Sequence, residues 1–92
     1  MSVLPSDSKT KKYVATFMVN GKEKKVSFGA KGYTDYLLSK DKERRDRYRK
    51  RHMKDLLTGD PMRAGYLSYY LLWGDSTSLQ QNIKDYKKRF NL

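Results

Sequence analysis

The chain has 92 residues, 21 Lys or Arg against 10 Asp or Glu, a formal net charge of +11 and no cysteine. That length suits one small domain, which buries only about 60–65 % of its unfolded surface. The missing cysteines exclude disulfides and thiolate metal sites, and the cationic excess favours nucleic acid, an anionic membrane or acidic protein as partner.

No apolar run approaches the roughly 20 residues of a membrane-spanning helix. The start, MSVLPSDSKTKK, has no apolar core of a signal peptide, so a non-secreted protein is expected. Aromatic residues make up 13 % of the chain, mostly Tyr, which argues for a folded domain despite the charge.

Residues 1–12 form a polar tail with Pro5, three serines and Lys9, Lys11 and Lys12. Alone, such a tail should be disordered, and order there would point to a neighbour that holds it. The folded domain is expected over 13–92.

YVATFMV and KEKKVSF flank Asn20-Gly21, the pair preferred for a type I′ turn because both central residues need φ > 0. A two-residue loop sets Val19 opposite Lys22, Phe17 opposite Lys24, Ala15 opposite Val26 and Tyr13 opposite Phe28. That register collects Tyr13, Ala15, Phe17, Val19, Val26 and Phe28 on one face. A lone hairpin is marginal, so helices must cover that face. A β-ribbon that contacts nucleic acid through Lys22, Lys24 and Lys25 is the less common alternative to a structural hairpin. Gly29 and Gly32 mark the next turn. Residues 33–38 supply apolar bulk, as a short helix or as an extended piece.

Lys40 to Lys54, KDKERRDRYRKRHMK, carries nine Lys or Arg and three acids with no Gly or Pro. Its composition predicts a helix capped by Asp41, with Glu43 in the first turn. Asp41–Arg45, Glu43–Arg47 and Asp46–Lys50 have the spacing of stabilising i,i+4 pairs. Lys42, Arg44, Arg49, Arg51 and Lys54 have no such acid and are candidates for gripping a polyanion or acidic partner; the plain alternative is a solvated helix face. Tyr48, His52 and Leu56 at i, i+4, i+8 give the helix a narrow apolar seam for docking.

Thr58-Gly59-Asp60-Pro61 reads as a stop and restart, with Asp60 capping the next helix and Pro61 at its first position. Met62 to Trp73 is the most apolar stretch and the expected core helix, with Tyr66, Tyr69, Tyr70 and Trp73 on one stripe. Aromatics at that spacing could stack bases, but a core stripe is the commoner arrangement. Gly65 inside it costs about 1 kcal/mol against Ala, which suggests close approach of another backbone. After Gly74-Asp75-Ser76, a final helix is capped by Ser76 or Ser78, and Ser78 and Gln81 fit a capping box. Leu79, Ile83, Tyr86 and Phe90 form its apolar stripe. Lys84, Lys87, Lys88 and Arg89 cover the other side, and the last three join the candidate binding residues.

The expected architecture is therefore α+β: an N-terminal β-hairpin packed on three to four α-helices in a single small domain. KKYVATF at 11–17, VSFGAKGYTDY at 26–36, KDKERRDRYRKRH at 40–52, DPMRAGYLSYYLLW at 60–73 and SLQQNIKDYKKRFNL at 78–92 together resemble small basic proteins of nucleocytoplasmic large DNA viruses, chlorella virus and mimivirus relatives among them. The likeness spans about four-fifths of the chain, with motifs and order in agreement. Members often carry Thr-Ile-His before the Lys-Asp; Leu37-Leu38-Ser39 stands there in this chain, so no role falls on a histidine at that point. The resemblance implies a viral setting, with a virion component as the expected role, and supplies no catalytic residues.

Catalytic machinery is not legible. The lone His52 cannot make a zinc site by itself and reads as a packing residue. No GxxxxGKS, GxxxxGKT, GxGxxG or HExxH pattern occurs. We therefore expect no enzyme, cofactor, metal or small-molecule substrate. The expected function is a basic structural protein of a large DNA virus particle, a minor capsid or core component joining acidic protein surfaces. Its partners would be other virion proteins, in the virion and in host cytoplasm or nucleus during assembly. The alternative is non-sequence-specific DNA binding for genome packaging or compaction, through phosphate contacts. An anionic membrane is the weakest of the three partners.

Overall fold

The computed structural model describes all 92 residues. It shows the expected α+β architecture, with one more strand than the hairpin. β1 (Ser2–Pro5), β2 (Lys11–Val19) and β3 (Lys22–Ala30) form an antiparallel sheet in the order β1-β2-β3. The hairpin register is the one the Asn-Gly turn dictates, from Val19 opposite Lys22 to Tyr13 opposite Phe28. Asn20 and Gly21 both have positive φ, 52° and 79°, as a type I′ turn requires.

The expected disordered tail is instead partly strand. Val3 pairs with Ala15 and Pro5 with Tyr13, and Met1 and Val3 pack against the core. The serines that made the segment look unstructured close the turn back to β2. Ser6 Oγ accepts from the Ser8 amide, Ser8 Oγ accepts from the Thr10 amide, and Lys31 Nζ donates to the Ser8 carbonyl at 2.6 Å. The chain itself holds the tail, so no neighbour is needed to order it.

Residues 33–38 resolve into a turn and the first residues of α1 (Tyr36–Ser39), whose N-cap Asp35 accepts from the Leu38 amide. α2 (Lys42–His52) is capped by Asp41 as expected, and a 3₁₀ turn, Met53–Thr58, continues it. Asp60 does not cap the next helix. Its carboxylate accepts from the Met62 amide in a local turn, and α3 (Ala64–Leu67) starts after Arg63. The helix then widens into a π segment, Ser68–Leu72, closed by the Trp73 amide donating to the Ser68 carbonyl at 3.1 Å. α4 (Leu79–Phe90) is capped by Ser78, but Gln81 bonds Asp85 rather than closing a capping box.

The core joins Ala15, Phe17 and Phe28 of the sheet to Tyr66, Leu67, Leu71, Leu72 and Trp73, with Ile83 and Tyr86 of α4. The wide π turn presents Leu71, Leu72 and Trp73 consecutively to the interior. The expected tyrosine stripe is therefore only half right: Tyr66 and Trp73 are buried, while Tyr69 and Tyr70 are half-buried. The Tyr66 hydroxyl donates to the Leu56 carbonyl at 2.7 Å, and the Tyr86 hydroxyl to the Pro61 carbonyl, which satisfies both buried phenols.

Two glycines permit close approach. A Cβ at Gly74 would lie 2.1 Å from the Tyr70 carbonyl oxygen, and Gly29, at φ 78°, lets Leu72 Cδ1 come within 2.9 Å of where its Cβ would stand. Gly65, by contrast, faces the Asp55 side chain and not a second backbone.

Candidate functional site

α2 is where the charge collects, and its cations divide into three groups by direction. The inward group is paired. Arg45 is 8 % exposed; its Nε and Nη2 both donate to Asp46 Oδ1, and its guanidinium lies 5.0 Å over the Tyr36 ring. Arg49 donates from Nε to the Trp73 carbonyl at 2.7 Å and from Nη2 to Asp75 Oδ1 at 2.9 Å. The Arg49 hydrogen bond holds the Asp75 carboxyl below the usual carboxylate range. Arg49 is therefore not a free cation. It ties α2 to the end of the π segment through an acid 26 residues away, beyond the reach of any i,i+4 pattern.

None of the three expected i,i+4 pairs forms. Asp41 is occupied as the N-cap, accepting from the Arg44 amide at 3.2 Å, and Asp46 is taken by Arg45. Of the nine cations in residues 40–54, only Arg45 and Arg49 have a carboxylate partner, which leaves Lys40, Lys42, Arg44, Arg47, Lys50, Arg51 and Lys54 without one. All seven are exposed.

The docking seam is real and aromatic. Tyr48 stacks between His52, at 4.1 Å between ring centroids, and Trp73, at 4.3 Å. His52 Nδ1 lies 3.1 Å from Asp55 Oδ2, in a packing position. Burial pushes the Tyr48 phenol above its ordinary pKa, with Asp55 adding to the effect, so the hydroxyl stays a donor through the neutral range.

Arg44 and Arg51 lie about one turn either side of Tyr48 on the same flank of α2, and there they meet the far end of the hairpin. A cleft of about 430 Å³ opens between α2, the β2–β3 end and the π segment, with Lys11, Lys12, Arg44 and Arg51 in its walls. Asp35 is its one acid. That carboxylate is 2 % exposed, with Lys12 Nζ at 2.6 Å on Oδ2 and the Leu38 amide on Oδ1, so both oxygens are engaged. Sequence reasoning assigned Lys11 and Lys12 to the tail and missed this convergence. The signal was present: continuing the hairpin ladder past Tyr13 and Phe28 brings Lys11 opposite Ala30. A second cleft, of about 510 Å³ beside β3, is lined by Asp55, Asp60, Lys24 and Arg63, so its charges offset one another.

The remaining candidates stand apart from the cleft. Lys42 is exposed at the first residue of α2 and Lys54 near the start of the 3₁₀ turn that follows it. Lys87, Lys88 and Arg89 form the last turn of α4, where cations suit the helix terminus. Arg89 lies 5.0 Å over the Tyr70 ring, and none of the three has a carboxylate partner. No group of His, Cys, Asp and Glu is arranged to hold a metal ion, and no helix is long and apolar enough to cross a membrane.

The molecule is thus a small α+β domain that presents unpartnered cations from a helix docked beside a three-stranded sheet. Residues 1–52 match the family of unknown function DUF5754, and the chain belongs to that family. The matched segment runs from β1 to the end of α2, so it contains the sheet and both arginines of the cleft. No curated protein and no solved structure matches the chain.

Proposed function

We propose that this protein is a non-enzymatic basic structural component of a large DNA virus particle, a minor capsid or core protein that joins acidic protein surfaces. The observation that carries the binding role is the set of seven exposed cations of residues 40–54 with no internal partner. Left unpaired, they repel one another, at a few tenths of a kcal/mol for each like-charged i,i+4 pair, and a partner's acids would relieve that repulsion. Exposed apolar side chains next to them favour a protein partner over a phosphate backbone. Tyr33 is 74 % exposed, Leu38 68 %, Met53 57 % and Leu57 87 %. Apolar anchors within a charged rim are the usual anatomy of a protein interface. The viral setting rests on the likeness to small basic proteins of large DNA viruses.

Zero-length amine-to-carboxylate coupling in intact particles tests the proposal. With a carbodiimide that activates carboxylates and leaves as its urea, the Lys42, Lys54, Lys87 and Lys88 amines should form amides with acidic segments of other particle proteins; links confined to this chain would contradict it. DNA binding for packaging is the second role, favoured by the convergence of Arg44, Arg51 and Lys11 in a cleft whose only acid is already paired. In that case, affinity for duplex DNA would fall steeply with salt, and replacing Arg44, Arg51 and Lys54 by Ala would flatten the log–log slope by about 2–3. Arg49 is left out of that set because its loss would undo the anchor of α2.

A further inference from the structure

We propose that the cleft between α2 and the β2–β3 end is a binding site for an organic phosphate that carries a planar ring, a nucleotide unit, either free or within a single strand. This goes beyond the joining role, with which it shares Arg44, Arg51 and Tyr33; nucleotide binding by the isolated chain and cross-links in particles are read separately, so failure of one is distinguishable from failure of the other.

Volume comes first. At about 430 Å³ the cleft lies within the roughly 300–1,000 Å³ typical of small-ligand sites. Charge comes second. Arg44, Arg51 and Lys11 enter it without a carboxylate, while Asp35 is neutralised by Lys12 and its oxygens are both occupied. An anion there meets three free cations and no free acid. Arginine's fork of donors suits phosphate oxygens in particular. Rigidity comes third. Arg44 and Arg51 flank Tyr48, which is clamped between the His52 and Trp73 rings, and Lys11 lies on a paired strand. The cations are therefore mounted on fixed elements and not on loops.

The ring preference comes from Tyr33. It lines the same cleft, is 74 % exposed and stacks on no other ring of the chain. An open aromatic face beside phosphate-binding cations is the arrangement by which proteins hold nucleotide bases without reading their identity.

The chain carries its own reporter, since its single tryptophan, Trp73, lines the cleft. Intrinsic fluorescence of the full chain should change saturably with adenosine 5′-monophosphate, with a Kd below about 1 mM. Adenosine should give no saturable change, and inorganic phosphate should displace the nucleotide. Arg44→Gln and Arg51→Gln should each weaken binding about tenfold, as expected for loss of a charge-assisted hydrogen bond. Tyr33→Ala should weaken the nucleotide but leave inorganic phosphate unchanged. Lys84→Ala, on the exposed side of α4, controls for net charge and should bind as the parent does. Circular dichroism establishes that each variant is folded.

A ten-residue oligothymidylate separates the two sources. Displacement at lower concentration than the mononucleotide assigns the site to a strand, and the reverse assigns it to a free nucleotide. The proposal is overturned by no saturable response to either probe, by an equal response to adenosine, or by folded arginine variants that bind like the parent.

Discussion

Asn82 shows what one side chain can decide. It is 3 % exposed, on the buried side of α4 next to Ile83. Its amide donates to the Leu71 carbonyl at 3.0 Å and the Ser76 carbonyl at 2.8 Å, and its oxygen accepts from the Ser76 amide at 3.1 Å. The Leu71 carbonyl at the end of the π segment and both backbone groups of Ser76 in the loop that follows thus find partners. Asn82→Ala should cost about 2–3 kcal/mol in urea unfolding, since it leaves buried polar groups unpaired; a cost below about 1 kcal/mol would mean that water replaces them. This role was not legible in advance. Amphipathic spacing selects Leu79, Ile83, Tyr86 and Phe90, and a polar residue inside the buried arc looks like the edge of the stripe.

Arg49 and Asp75 make the other residue-scale case. Sequence spacing left Arg49 unpartnered because its acid lies in another element. The Asp75 carboxyl is held below its ordinary value of 3.8, so the pair's contribution to stability is complete above that value and is lost as pH falls through the depressed one. The gap in melting temperature between the parent and Asp75→Asn should therefore be open at neutral pH and close as pH drops below 3.8. A gap that persists at low pH would show that charge is not what the pair contributes.

At the scale of elements, legibility follows how local the determining physics is. The Asn-Gly turn fixes the β2–β3 register within four residues, and every expected pair is present. The Asp41 and Ser78 caps are equally local. β1 was not legible because its pairing closes over a polar turn whose order comes from serine side chains. The start of α3 was misplaced because Asp60 spends its oxygen on the Met62 amide. The π segment has no signal in a 3.6-residue period. Since Val3 shares the inner face with Ala15, Val3→Lys should free β1 while the rest stays folded. Hydrogen exchange would then quicken at residues 2–5 and at their partners on β2. Unchanged exchange would deny β1 its place in the core, and global unfolding would make it part of the nucleus of the fold.

Over the whole molecule, +11 of formal charge is carried by a body only 40 × 28 × 22 Å across. Charged stretches in the sequence showed that a cationic surface would exist, but not which cations are structural. Folding separates them. Arg45, Arg49 and Lys12 hold elements together, Arg44, Arg51 and Lys11 converge on a cleft, and Lys42, Lys54, Lys87 and Lys88 face outward. Families of alternating charges are usually solvated faces; here Asp41 is taken by the cap and Asp46 by an inward pair, so of the acids of α2 only Glu43 is left against seven exposed cations.

The salt concentration that elutes the chain from immobilised poly-L-glutamate, compared with that for a variant in which Lys42, Arg44, Arg51 and Lys54 are all Gln, tests that division most directly. The variant should fold, be at least as stable as the parent, and elute at about half the parent's salt or less. A folded variant that elutes with the parent, or one that cannot fold because those four side chains hold it together, would contradict it.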